Sequence, residues 1–325
     1  MESPANVTHS GETSLAHASP ADLRAFQNIL VSVDVQQDAH PELARAEQIA
    51  LYSGASVHIV DVLRDLNMAA RMMLPQWQVG HDELAHEKEN SLTILAARLA
   101  SKGIAATSEL LRGNYAQQLI QIAESRQVDL LIRNAKGVRS NELGSIGSTS
   151  GKLLQRAPCD LWLTQGKHSE TCRHIVAAID ATPDDKAHAA LNRIILQRSL
   201  DLVEREGCDL QIIYVWDVYG AEMIRSRMHP NDFDDMLERN RLAHEESYER
   251  TLTEFGLHTR LNNVHMPRGE AVTVIPEFCR ARESDLMICG TVARVGLSGM
   301  MIGNTANRVL NRMPCSVLAI KPRLT

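Results

Sequence analysis

The sequence predicts two doubly wound α/β domains in tandem. Three observations predict this: an internal repeat over most of the chain, alternating strand-like and helical stretches within each copy, and a glycine-rich loop before the last helix of each. Asn28-Ile-Leu-Val-Ser-Val-Asp34 returns as His174-Ile-Val-Ala-Ala-Ile-Asp180, and Asp129-Leu-Leu-Ile returns as Asp285-Leu-Met-Ile. Asp34 and Asp180 lie 146 positions apart. Gly113 and Gly269, Asp129 and Asp285, Gly147 and Gly303, and Pro158 and Pro314 all lie 156 apart. The second copy thus carries its extra residues in its first half, and the offset is constant afterwards.

Each copy opens with an apolar, β-branched run, 29–33 or 175–179, that reads as a strand buried on both faces. A helix follows over 41–52 or 187–206, with Gly54 or Gly207 as its stop. The second strand is expected over 56–63 or 210–218, and a long charged helix over about 81–102 or 232–255. The third strand is read at 105–111 or 259–266, the next helix at 115–126 or 271–282, and the fourth strand at 130–133 or 286–289. The glycine-rich loop, a helix and a last strand, 161–164 or 317–320, complete the unit. Strands alternating with helices imply right-handed crossovers and a mainly parallel sheet. Such sheets bind ligands beyond the strand tips where the strand order reverses, here the tips of strands one and four. Asp34 and Asp180 end strand one.

Bulk composition sets bounds. The chain has 325 residues, enough for two domains, and 44% of them are hydrophobic. Residues 1–24 are rich in Ser, Thr, Ala and His and read as a disordered tail, leaving domains at 25–167 and 168–325. The formal charge of −6 argues against a dedicated nucleic-acid binder. No signal-like segment or membrane-length apolar run is present, so the expected location is the cytoplasm. The six cysteines form no C-x-x-C pair and require no disulfides. No metal is expected, since His81 and His86 lie off the i,i+4 spacing of paired helix ligands.

The loops carry the candidate site. The first runs from Asn134 through Gly137 and Gly144 to Gly147, Ser148 and Thr149. The second runs from Gly290 through Ala293, Gly296 and Gly299 to Gly303, Asn304 and Thr305. Amides at a helix start, with no side chain in the way, can hold an anion, and the hydroxyls of Ser148, Thr149 and Thr305 add donors. The segment around Gly151-Lys152 is not a P-loop, because Ile146 and Leu153 break that pattern. Met68, Met72 and Met73, and later Met223 and Met228, follow strand two; packing onto the sheet is the preferred reading, an adaptable binding surface the alternative.

The strand-one Asp, the Asp-Leu-Leu-Ile and Asp-Leu-Met-Ile strands and the loop spacing resemble the universal stress protein family over residues 26–322. The doubled arrangement, with Gly290-Thr-Val and Gly303-Asn-Thr-Ala in the second copy, is similar to its tandem type-E members. The resemblance implies flavodoxin-like (HUP-type) domains with five-stranded sheets, dimerisation through the last strand, and ATP binding in some members. It implies a cofactor-binding set of Asp34, Gly137, Gly147, Ser148 and Thr149 in the first copy. In the second the set is Asp180, Gly290, Gly303, Asn304 and Thr305, with the two Asp on the adenine side. Asn134, Ala293 and Asn304 depart from the family loop; where such a position needs positive φ, Ala costs about 1–2 kcal/mol and Asn less.

Three functions stay open. The leading one is a non-enzymatic stress regulator holding ATP or another phosphate-bearing ligand at one or both clefts, with a role in survival of DNA damage among those the resemblance implies. The second is an interaction scaffold with degenerate clefts, and the third a weak nucleotide hydrolase. Under each, the last strands of the two copies are expected to pair as an intramolecular pseudo-dimer.

Overall fold

A computed structural model describes residues 26–65, 75–135, 146–165, 172–183, 186–291 and 303–321. The tail at 1–24, Gly137, Ala293, Met68, Met72, Met73 and the 167/168 boundary lie outside the described residues.

In the first half the elements are β1 (Asn28–Ser32), α1 (Pro41–Ser53), β2 (Ser56–Leu63), α2 (Pro75–Ala100), β3 (Ala106–Arg112), α3 (Tyr115–Ser125), β4 (Leu130–Asn134), α4 (Ser148–Arg156) and β5 (Asp160–Thr164). The second half repeats them as β6 (His174–Ala178), α5 (Lys186–Glu206), β7 (Asp209–Ile213), α7 (Pro230–Thr253), β8 (Val264–His265), α8 (Ala271–Ala281), β9 (Leu286–Gly290), α9 (Asn304–Leu310) and β10 (Ser316–Ile320). The second half also contains a short helix, α6 (Ala221–Arg225), after β7. Gly54 stops α1 as expected: it sits at φ 70°, left-handed, and its amide donates to the Ala50 carbonyl at 2.9 Å.

Several boundaries differ from the sequence reading: the second strand of the second copy, expected over 210–218, already ends at Ile213. The long helices begin earlier than expected, at Pro75 and Pro230, where proline fits the first helical turn. The third strand of the second copy, expected over 259–266, shrinks to two residues. Asn262 and Asn263 favour a turn there, and Asn263 serves the sheet instead through its amide, Nδ2 donating to the Leu210 carbonyl at 3.0 Å.

Among the described residues the strands form one sheet in the order β3-β2-β1-β4-β5-β10-β9-β6-β7-β8. Within each half every pairing is parallel, and the order reverses between β1 and β4, and again between β6 and β9. The last strands meet antiparallel, with Leu163 opposite Val317, Trp162 opposite Leu318 and Leu161 opposite Ala319. The halves therefore form the expected pseudo-dimer within one chain.

The seam belongs to the core. Side chains alternate along β5 and β10, so Trp162 and Leu318 face one layer of helices while Leu161, Leu163, Val317 and Ala319 face the other. Each of those two apolar layers runs unbroken from the first half into the second. On the Trp162 side, α1 and α5 meet through Arg45, whose Nη1 donates to Glu206 Oε1 at 2.5 Å. Both side chains of this pair are only 7% exposed. The Arg45 guanidinium lies 4.9 Å from the Trp162 ring centre, and the second Glu206 oxygen accepts the Cys172 amide at 2.8 Å. On the opposite side Lys321 donates to the Leu154 carbonyl through Nζ, and its amide donates to Asp160 Oδ1 at 2.8 Å.

All six cysteines are buried free thiols. Burial pushes Cys172 and Cys289 up to about 12 and Cys208 up to about 11, from the ordinary 9.0. Unfolded thiols ionise first as pH rises, so stability that is full below about pH 9 drains away towards about pH 12. Lys321, pushed down to about 8 by burial, opposes this between about pH 8 and 10.5, but the thiols outnumber it. The urea midpoint is expected to fall between neutral pH and about pH 11. An unchanged or higher midpoint would contradict the burial of these thiols.

Candidate functional site

The second-half cleft lies beyond the tips of β6 and β9, where the strand order reverses. Asp180 stands two residues past the end of β6. Asn192 on α5 holds its backbone from both sides: the Asp180 amide donates to Asn192 Oδ1 at 3.1 Å, and Asn192 Nδ2 donates back to the Asp180 carbonyl at 2.8 Å. The carboxylate is held as well. Its Oδ1 accepts the Thr182 amide at 3.1 Å and the Thr182 hydroxyl at 2.6 Å, and Oδ2 lies 3.8 Å from His188 Nε2.

An aromatic wall adjoins Asp180. Tyr214, just past β7, is bonded through its hydroxyl to His244 Nδ1 at 2.5 Å, and the Trp216 and His244 ring centres are 5.4 Å apart. Burial lowers His244 below the usual imidazole value, with Asp180 partly offsetting it, which favours neutral imidazole. Together these groups enclose a cleft of about 790 Å³. Of the candidate residues, Asp180, Gly290, Gly303, Asn304 and Thr305 all line it. So do His188, Tyr214, His244, Ala271 and Arg308, which the sequence reading did not single out. Arg308 lies four residues after Asn304, hence on the same face of α9, a spacing that could have flagged it.

The glycines differ from expectation in what they do. A β-carbon on Gly290 would come within 2.2 Å of Leu191 Cδ2 and 2.9 Å of its Cγ, so glycine here lets α5 pack closely against the end of β9. Gly147 and Gly303 have extended backbones (φ −59° and −60°) as the residues before α4 and α9. Their amides donate to the Ala135 and Thr291 carbonyls at 3.1 and 3.2 Å, so these two N–H groups close the loop onto strand four. The amides leading each helix are those of the following residues. Asn134 closes β4 in the strand conformation and is not among the positive-φ residues, so the strain considered for that position does not arise.

In the first half Asp34 also stands two residues past its strand, and Gly147, Ser148 and Thr149 lead into α4. Here the switch point carries larger side chains. Buried Lys88 donates to Asp61 Oδ2 at 2.5 Å and lies 3.8 Å from Asp34 Oδ1. Tyr115, first residue of α3, reaches the tip of β1: its hydroxyl lies 3.0 Å from Ser32 Oγ and donates to the Val33 carbonyl at 3.2 Å. The Arg133 guanidinium lies 5.3 Å from the Tyr115 ring centre. At the strand-two position, Asp61 with Lys88 in this half corresponds to Tyr214 with His244 in the other. Among the described residues no group of His, Cys, Asp and Glu could hold a metal ion, and no helix is long and apolar enough to cross a membrane.

Comparison with known proteins bears on the family and the fold. The universal stress protein family matches residues 25–165 and again 171–321. Universal stress protein E of Photorhabdus laumondii is 24% identical over 309 residues, covering 91% of this chain and 95% of the relative. Universal stress protein E of Escherichia coli K12 is 22% identical over 307 residues, covering 91% and 94%. Among solved structures, a functionally unknown protein from Pseudomonas aeruginosa PAO1 superposes with a TM-score of 0.68 at 24% identity, over 92% of this chain and 94% of its own. A universal stress protein from Archaeoglobus fulgidus gives a TM-score of 0.57 at 17% identity, over 90% and 98%. With both halves matched in full and the tandem order shared by these relatives, the chain belongs to the universal stress protein family.

Proposed function

We propose that this chain is a stress-response regulatory protein that holds ATP or another phosphate-bearing ligand beyond the tips of β6 and β9. One observation carries the reading: a cleft of about 790 Å³ at a topological switch point, lined both by Asp180 and by the start of α9. That volume is in the range of small-molecule sites, roughly 300–1,000 Å³. Arg308 and the hydroxyl of Thr305 supply a cation and a donor on the α9 side. The aromatic wall of Tyr214 and Trp216 suits a planar group near Asp180. No catalytic step is part of this reading. Titrating ATP into the protein in a calorimeter is expected to give a saturable heat, weakened by Asp180→Ala. The absence of heat at millimolar nucleotide would remove the ligand from the proposal.

The scaffold reading has one observation in its favour. Tyr219, which lines the same cleft, is 99% exposed, and Met223 and Met228, further along the same segment, are exposed too. Packing onto the sheet, the preferred sequence reading for these methionines, is therefore not what the second copy does. Dimerisation through the last strand, as the resemblance implies, is already satisfied inside the chain by β5 against β10, so a homodimer would need another surface.

A further inference from the structure

We propose that ligand uptake is confined to the second half, because Tyr115 and Arg133 occupy in the first half the place that Ala271 and Cys289 leave open in the second. This rests on the switch-point reading given above and assigns it to one site per chain. The constant offset of the repeat sets Tyr115 against Ala271 and Arg133 against Cys289, and the strand-one offset sets Ser32 against Ala178. Ala178, Ala271 and Cys289 all line the second-half cleft. All three are small, and none carries a strong hydrogen-bonding group.

Their first-half counterparts bond to one another across the strand tips. The Tyr115 hydroxyl engages Ser32 Oγ at 3.0 Å and donates to the Val33 carbonyl at 3.2 Å, so a strand-tip acceptor is already satisfied. Arg133 lies against the same ring and donates through Nε to the Asn134 carbonyl at 3.0 Å. Asp34 is faced by a cation of the chain itself, Lys88, which Asp61 holds in place. A ligand entering here would have to expel an aromatic ring and break these bonds, whereas the second half asks for neither. Alanine against tyrosine and cysteine against arginine thus decide which half binds.

The test uses the full-length chain with ATP as the probe. Native mass spectrometry is expected to show one ATP per chain for the unaltered protein. Ala271→Tyr is expected to abolish uptake without lowering the melting temperature, and Tyr115→Ala combined with Arg133→Cys to raise uptake to two. Hydrogen exchange needs no variant: ATP is expected to protect residues 179–192, 214–220 and 269–275 and to leave 32–35 and 115–119 unchanged. Two ATP on the unaltered chain, or protection in the first half, would overturn this assignment while leaving nucleotide binding intact. No uptake by any of the three proteins would remove nucleotide binding itself, and the assignment with it.

Discussion

Glu206→Gln is expected to destabilise the protein by about 3–5 kcal/mol, the usual cost of removing one partner from a buried ion pair. Arg45 would keep its full charge in a place where its side chain is 7% exposed, against the Trp162 ring and with Nη2 3.1 Å from the Cys172 sulfur. The Coulombic gain of such a pair is nearly matched by the desolvation of its two members, so the loss comes mostly from the stranded guanidinium. Replacing both residues with apolar ones, Arg45→Met with Glu206→Leu, is therefore expected to recover most of the stability. Urea unfolding of the three variants checks this. A loss below about 1 kcal/mol for the single change would mean that the pair is solvated and does not tie α1 to α5.

Trp162→Ala is the second large effect, also about 3–5 kcal/mol. The indole is 2% exposed, sits opposite Leu318 at the centre of the antiparallel pairing, and belongs to the apolar layer shared by both halves. Its removal leaves a cavity with strands on one side and two helices on the other, which cannot all close in together. Because the Arg45 guanidinium rests on the ring, the combination with Glu206→Gln is expected to be non-additive, since the two changes share a neighbour. A double-mutant cycle in urea measures the coupling, and strict additivity would show that the cation–ring contact contributes nothing.

Much of the architecture was legible in the sequence because its determinants are local. The strand at 56–63 is a β-branched run buried along nearly its whole length, bounded by Gly54, so pattern and punctuation agree. The β5–β10 pairing was foreseeable because the family resemblance implies dimerisation through the last strand and the unit is duplicated in one chain. The third strand of the second copy was not, because paired asparagines outcompete a weak alternation. The short helix at Ala221–Arg225 escaped for another reason: five residues are too few to show helical periodicity. In the candidate site the landmarks Asp180 and Gly303 stand out, since each marks the end of one element and the start of the next. Tyr214, His244 and Arg308 come from three separate elements and meet only after folding. The contrast of Tyr115 with Ala271 was written in the repeat, but residue size carries no functional meaning until the tips of β1 and β4 are known to face it.

Continuity of the sheet across its midline changes what kind of object this protein is. Joined only by a tether, two α/β units would melt one after the other. Here β5 and β10 are interior strands only because each is the other's neighbour, and Trp162 and Leu318 lie in one shared layer. Expressed alone, either half would bare a raw strand margin with unsatisfied peptide groups, a template that a second copy of the same fragment could complete. Holding both copies in one chain thus makes their pairing independent of protein concentration.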